Sequence, residues 1–151
     1  MGTSELYRLI EQFDEVADSL VIDLEYLGRP SFLALFIVPP AGSTASLPAL
    51  PQEAAEGRTG VDPSLRKRLL QRIREELSAR HVPDEVYALP DIPRTLTGKK
   101  LEVPIKRILL GHPTAKAVNR DSMANPGIID WFVAFHAARE REAARSQQPN
   151  R

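Results

Sequence analysis

Residues 20–38 run LVIDLEYLGRPSFLALFIV. In the first half Leu20, Ile22, Leu24 and Tyr26 alternate with Asp23 and Glu25, the period-two pattern of a strand with one apolar face. Gly28, Arg29, Pro30 and Ser31 supply turn residues, and the unbroken apolar run Phe32–Val38 follows. The stretch predicts a β-hairpin whose second strand is buried. Upstream, Leu6, Leu9, Ile10 and Phe13 fall at i, i+3, i+4 and i+7, with Thr3 or Ser4 as a cap and Glu5 complementing the dipole, so a helix opens the chain. Downstream, residues 39–61 carry prolines at 39, 40, 48 and 51 and glycines at 42, 57 and 60 without periodicity, which predicts a flexible surface loop lacking both helix and strand. Asp62 and Pro63 have the form of a helix start; Leu65, Leu69, Leu70, Ile73 and Leu77 are the apolar stripe of that helix, basic on its outside and closed by His81, Val82 and Pro83. Glu85–Leu89 can add a third strand to the hairpin. Pro104, Ile105, Ile108, Leu109 and Gly111 mark a short helix, and Asn125, as N-cap, and Pro126 start another that carries Ile128, Trp131, Phe132 and Phe135 before an alanine- and arginine-rich end that frays. The fold class is α+β, a small three-stranded sheet with helices packed on it.

The 151 residues hold 20 Lys+Arg against 20 Asp+Glu, no cysteine and three histidines. Disulfides, thiolate zinc sites and a cysteine nucleophile are thereby excluded, and His81, His112 and His136 are too scattered for ligands. No apolar run is long enough to span a bilayer, and the start MGTSELYRLIEQ has neither the basic nor the apolar region of a signal peptide, so a soluble, cytoplasmic protein without a membrane partner is expected. The neutral total hides an asymmetry. Residues 1–64 carry three basic side chains against ten acidic ones, a net of −7, whereas residues 65–120 carry thirteen against six, a net of +7. The middle third is where an anionic ligand belongs, although solvated helix lysines and arginines give the same count. A net charge of zero argues against nucleic acid as a partner.

Residues 89–103, LPDIPRTLTGKKLEV, put two hydroxyls, a glycine and two lysines within six residues. Such a loop can set a lysine ammonium beside a phosphate or carboxylate oxygen, with Gly98 giving the backbone room. By residue type alone, a Thr-x-Thr-Gly-Lys run is more often a plain turn than a site. A phosphate-binding P-loop does not fit, because the glycine it needs five residues before Gly98 is Pro93 and Lys99 is followed by Lys100 rather than Ser or Thr.

The run Pro93, Arg94, Thr95, Leu96, Thr97, Gly98, Lys99 resembles the last core motif of the acyl-adenylate-forming enzymes, Pro-x-Thr-x-Ser/Thr-Gly-Lys, with every fixed position filled. Gly2, Thr3, Ser4, Glu5, Leu6 and Tyr7 resemble the end of that family's hinge motif, Arg-x-Gly-Thr-x-Glu-Ile. LTGKKLEVPIKRILLG and KAVNRDSMANPGIIDWF, the latter between Lys116 and Phe132, are more particularly similar to the acetoacetyl-CoA synthetases. The similarity is to the small C-terminal subdomain alone: the hinge aspartate and the arginine and glycine before Gly2 are missing, as is the large N-terminal domain, so the chain looks like an excised subdomain.

The resemblance implies an AMP-forming acetoacetate:CoA ligase using ATP, Mg2+ and CoA. In such an enzyme residues 1–122 would be the mobile lid, with the flexible loop 39–61, and residues 123–151 a C-terminal helical extension. It implies that Lys99 is the catalytic lysine of acyl-adenylate formation, that Thr95, Thr97 and Gly98 position its loop, and that Arg74, Gly2 and Thr3 lie on the CoA-binding side, with Glu5 near them. A solvated helix arginine paired with Glu75 or a residue one turn away is the plain alternative for Arg74. The implied partners are the N-terminal domain of the same synthetase, its substrates, and a protein lysine acetyltransferase and deacetylase acting on Lys99. The isolated chain is expected to bind none of the substrates by itself and to be inactive. An independent binding or regulatory module with a basic face, or the lid of another short-chain acyl-CoA synthetase, are the competing readings.

Overall fold

The computed structural model describes residues 3–25 and 30–146. Packing divides the chain into two compact units, residues 1–48 with 60–92 and residues 49–59 with 93–151. This grouping places the lysine loop with the C-terminal helices.

The first unit holds the sheet. Strands β1 (Asp18–Leu24) and β2 (Phe32–Val38) are antiparallel, with Val21 opposite Leu35, and β3 (Glu85–Ala88) pairs parallel to β2, with Leu35 opposite Val86. The order β1-β2-β3 puts β2 in the middle, so Leu33 to Ile37 are all buried and the continuous apolar run has its reason. β1 is more buried than its alternation predicts, since Leu20, Val21, Ile22 and Leu24 are all inaccessible. Tyr26, Gly28 and Arg29 of the expected hairpin turn lie outside the described residues.

Leu6, Leu9 and Ile10 of α1 (Ser4–Ile10) and Leu65, Leu69 and Ile73 of α3 (Pro63–Glu76) share a core with Val21, Leu33, Leu35, Ile37, Val86 and Ala88. Leu70 and Leu77 pack at its margin. Asp62 caps α3 by accepting from Leu65 N at 3.2 Å, as its position before Pro63 predicts. Tyr7 Oη accepts from Val21 N at 2.8 Å and ties α1 to β1. Parallel pairing of β3 needs a crossover from Val38, and α3 lies on that crossover.

The second unit is helical. It contains α2 (Pro51–Ala55), α4 (Glu102–Leu109), α5 (Thr114–Ala117) and α6 (Ile128–Ser146). Helix α2 corrects the expectation that residues 39–61 hold no helix: Pro51 stands in its first turn, where its missing N–H costs nothing, and Glu53 Oε1 accepts from Leu50 N at 3.1 Å. Trp131 of α6 donates from Nε1 to the Ala49 carbonyl at 3.0 Å in a buried contact and pins the start of α2. Ser46, in the first unit, is buried as well and accepts from Asp62 N at 2.9 Å. Helix α4 begins two residues before Pro104, whose ring is tolerated because the first-turn N–H groups have no intrahelical partner. The alanine- and arginine-rich segment does not fray within the described residues but continues α6 to Ser146, in keeping with the high helix propensity of both residue types.

Candidate active-site loop

Residues 93–101 form a tight β-hairpin rather than an open loop. Arg94 bridges Lys100 in antiparallel fashion, Thr95 N donates to Lys99 O at 2.9 Å, and Gly98 N donates to Thr95 O at 2.9 Å. Leu96, Thr97 and Gly98 are the three loop residues, a turn followed by a residue in the left-handed region. Gly98 takes that place with φ +91°, and a Cβ built on it meets no atom within 4 Å. Backbone conformation, not space within this chain, therefore demands the glycine.

The two threonines finish the turn. Thr95 Oγ1 accepts from Lys99 N at 3.0 Å and lies 3.0 Å from Thr97 Oγ1. Arg94 Nη1 donates to Gly98 O at 2.6 Å. The backbone on both sides of the Gly98–Lys99 peptide is thus held, while the Lys99 side chain is exposed and its ammonium has no partner among the described residues. Lys100 is only half-exposed. Leu96, at the tip, is 69% exposed. The arrangement offers one fixed-base, unneutralised cation on a projecting turn, which is what an ammonium that enters another group's phosphate or carboxylate site requires.

Sequence reasoning did not find what holds the hairpin from behind. Thr95 bridges Met123, Leu96 N donates to Ser122 O at 3.0 Å, and Ala124 N donates to Arg94 O at 3.0 Å. Asn125, expected as a helix cap, has its side-chain Oδ1 on Arg94 N at 3.1 Å, while its carbonyl accepts from Ile128 N at 3.2 Å. The signal was present in the segment KAVNRDSMANPGIIDWF, but nothing local in that run says what it pairs with.

Of the other site residues of the sequence reading, Arg74, Thr3 and Glu5 lie in the first unit. Arg74 is exposed on α3 and has no ion pair among the described residues, so the pairing with Glu75 or a residue one turn away is not formed. Its neighbours on the helix are paired: Arg68 with Glu15 at 2.5 Å, Arg66 with Glu85 at 3.0 Å, and Arg72 with Glu76. The Arg68 hydrogen bond holds the Glu15 carboxyl below its ordinary range and raises the Arg68 guanidinium in turn. Thr3 occupies the N-cap position of α1 without a side-chain capping bond, and Glu5 is exposed in the first turn. Gly2 lies outside the described residues.

No protein-family model matches the chain. It is 32% identical over 136 residues to the acetoacetyl-CoA synthetase of Caenorhabditis elegans and 34% identical over 131 residues to that of Mus musculus, alignments covering 89% and 87% of the chain. The solved acetoacetyl-CoA synthetase from Streptomyces lividans superposes with a TM-score of 0.72 at 38% identity over 93% of the chain. The chain belongs to the acetoacetyl-CoA synthetase family. It corresponds to the C-terminal subdomain of these proteins and spans 17% of the length of the two curated synthetases and 18% of the Streptomyces chain. The α+β architecture with its small mixed sheet is thus the fold of that subdomain. Among the described residues no helix is long and apolar enough to cross a membrane.

Proposed function

We propose that this chain acts as the mobile C-terminal lid of an AMP-forming acetoacetate:CoA ligase and supplies Lys99 to the first of its two steps. In that step a carboxylate oxygen of acetoacetate attacks the α-phosphorus of ATP, the bond to the pyrophosphate oxygen breaks, and acetoacetyl-AMP and pyrophosphate result. The Lys99 ammonium stabilises the charge that develops on the phosphoryl oxygens and bridges it to the incoming carboxylate. In the second step the CoA thiol attacks the acyl carbon, loses its proton and displaces AMP. Arg74, Thr3 and Gly2 face CoA in this step, and the unneutralised Arg74 guanidinium suits its phosphates. The observation that carries the reading is the Lys99 ammonium, partnerless among the described residues, on a hairpin whose backbone is hydrogen-bonded on both sides of it.

Among the described residues no three His, Cys, Asp or Glu side chains come together as a metal site; Mg2+ would be held with the nucleotide by the N-terminal domain. On this reading the isolated chain is inactive, because one lysine without a nucleotide pocket has neither orientation nor substrate. Exposure of Lys99 also suits a cytoplasmic protein lysine acetyltransferase and its deacetylase, and acetylation would remove the charge the first step uses.

The test uses a synthetase of the relatives' full length that carries this segment. Lys99→Ala should abolish acetoacetyl-AMP formation, followed by ATP–pyrophosphate exchange, and spare thioester formation from supplied acetoacetyl-AMP; Lys100→Ala should do much less. Equal loss of both half-reactions in Lys99→Ala refutes the assignment.

A further inference from the structure

The hairpin that carries Lys99 is not self-supporting. Its outer strand lies against residues 122–125, and the seam is made by Leu96 N to Ser122 O and Ala124 N to Arg94 O, the pair that forms the Thr95–Met123 bridge, together with Arg94 N to Asn125 Oδ1. Met123 is buried and anchors the segment. Asn119 stiffens the approach to it, accepting from Asp121 N on Oδ1 at 3.0 Å and from Ser122 Oγ on its carbonyl at 2.8 Å. The bridge runs backbone to backbone. The Asn125 contact depends on a side chain, and it falls on Arg94, whose guanidinium holds the carbonyl of Gly98 immediately before Lys99.

We propose that Asn125 is a positioning residue for Lys99: its Oδ1 fixes the Arg94 backbone, Arg94 fixes the Gly98 carbonyl, and the origin of the lysine side chain is set by that relay. The proposal rests on the reading that Lys99 serves adenylate formation. With Oδ1 removed, the Arg94 end of the hairpin is released from the segment behind it, and the lysine enters a reacting site from a less defined origin. A reaction that depends on alignment at the ångström scale is sensitive to such a release. Binding of substrates and the thioester step, which the reading assigns to other residues, are not.

The activity measurements use a full-length synthetase carrying this segment. Asn125→Ala should lower kcat of adenylate formation about 10- to 100-fold with little change in KM for ATP or acetoacetate, and thioester formation from supplied acetoacetyl-AMP should be unchanged. Asn125→Asp, which keeps the acceptor oxygen, should recover most of the loss. Equal loss in both half-reactions would make Asn125 a purely structural residue and overturn the proposal. A Lys99→Ala enzyme that still forms the adenylate would refute the reading of Lys99 itself. The relay is checked independently of catalysis by amide hydrogen exchange in the present chain: Asn125→Ala should speed exchange at Arg94, Thr95 and Lys99, and unchanged exchange there overturns it whatever the enzyme does.

Discussion

Gly98→Ala isolates the backbone requirement of the lysine hairpin. The residue sits at φ +91° and a Cβ there would have no atom within 4 Å, so steric conflict with the rest of the chain contributes nothing and the cost is conformational alone. Holding an L-residue in the left-handed region costs roughly 1–2 kcal/mol. The turn is exposed and its bonds are local, so this cost acts on closing the hairpin rather than on the cores of the two units. A penalty of that size shifts the closed-to-open ratio about 5- to 30-fold. Native-state hydrogen exchange reads this directly at Thr95 N and Lys99 N, both bonded only when the turn is closed. Exchange at the two amides should accelerate by that factor, while amides of β2 and α3 keep their rates. Even if the whole cost were felt globally, Tm would fall by only about 2–8 °C in a chain of this size. Gly98→Asn should cost less than Gly98→Ala, because asparagine tolerates positive φ better. Unchanged exchange in Gly98→Ala would show that φ is not the constraint, and a globally unfolded protein would show that the turn is coupled to a core.

Trp131→Phe should keep the stacking on Phe135, whose ring centroid lies 5.0 Å away, and lose the donation to the buried Ala49 carbonyl. A loss of about 1–3 kcal/mol in urea unfolding is expected, with faster proteolytic cleavage between residues 41 and 55; unchanged cleavage would show that the tether does not hold α2. The Glu15–Arg68 pair sets a pH dependence. Because the folded-state carboxyl is lowered by the Arg68 hydrogen bond, its contribution is complete above the ordinary carboxylate range and is lost as pH falls through the lowered folded value. Both partners are over a third exposed, so the effect is small and screened by salt. Glu15→Gln should flatten the acid limb of stability slightly at low salt and leave it unchanged in 1 M salt, and an identical acid limb at low salt would show the pair to be inert.

Elements with a local cause were legible in the residues. The Asp62–Pro63 start of α3, the buried run of β2 and the stripe of α6 each follow from a cap, a period or an apolar count within a few positions. Helix α2 was not legible, since five residues between prolines and glycines have no periodicity to show and the helix leans on Trp131, eighty-two positions from Ala49. Strand β3 was legible as a strand but not in its direction, because parallel pairing is set by where the crossover through α3 delivers the chain. The lysine loop was legible as a motif, and its glycine has a reason in φ.

What the amino-acid sequence determined by itself was the family, the α+β class and Lys99 as the cation of interest, because these rest on residue identity along contiguous runs. The tertiary structure alone decided that Lys99 stands on a closed hairpin and that residues 122–125 hold that hairpin from behind. It also turned Asn125 from an expected cap into a partner of Arg94. Hydrogen bonds between positions some thirty residues apart leave no period or spacing in either run, and only the folded backbone brings their partners to 3.0–3.1 Å.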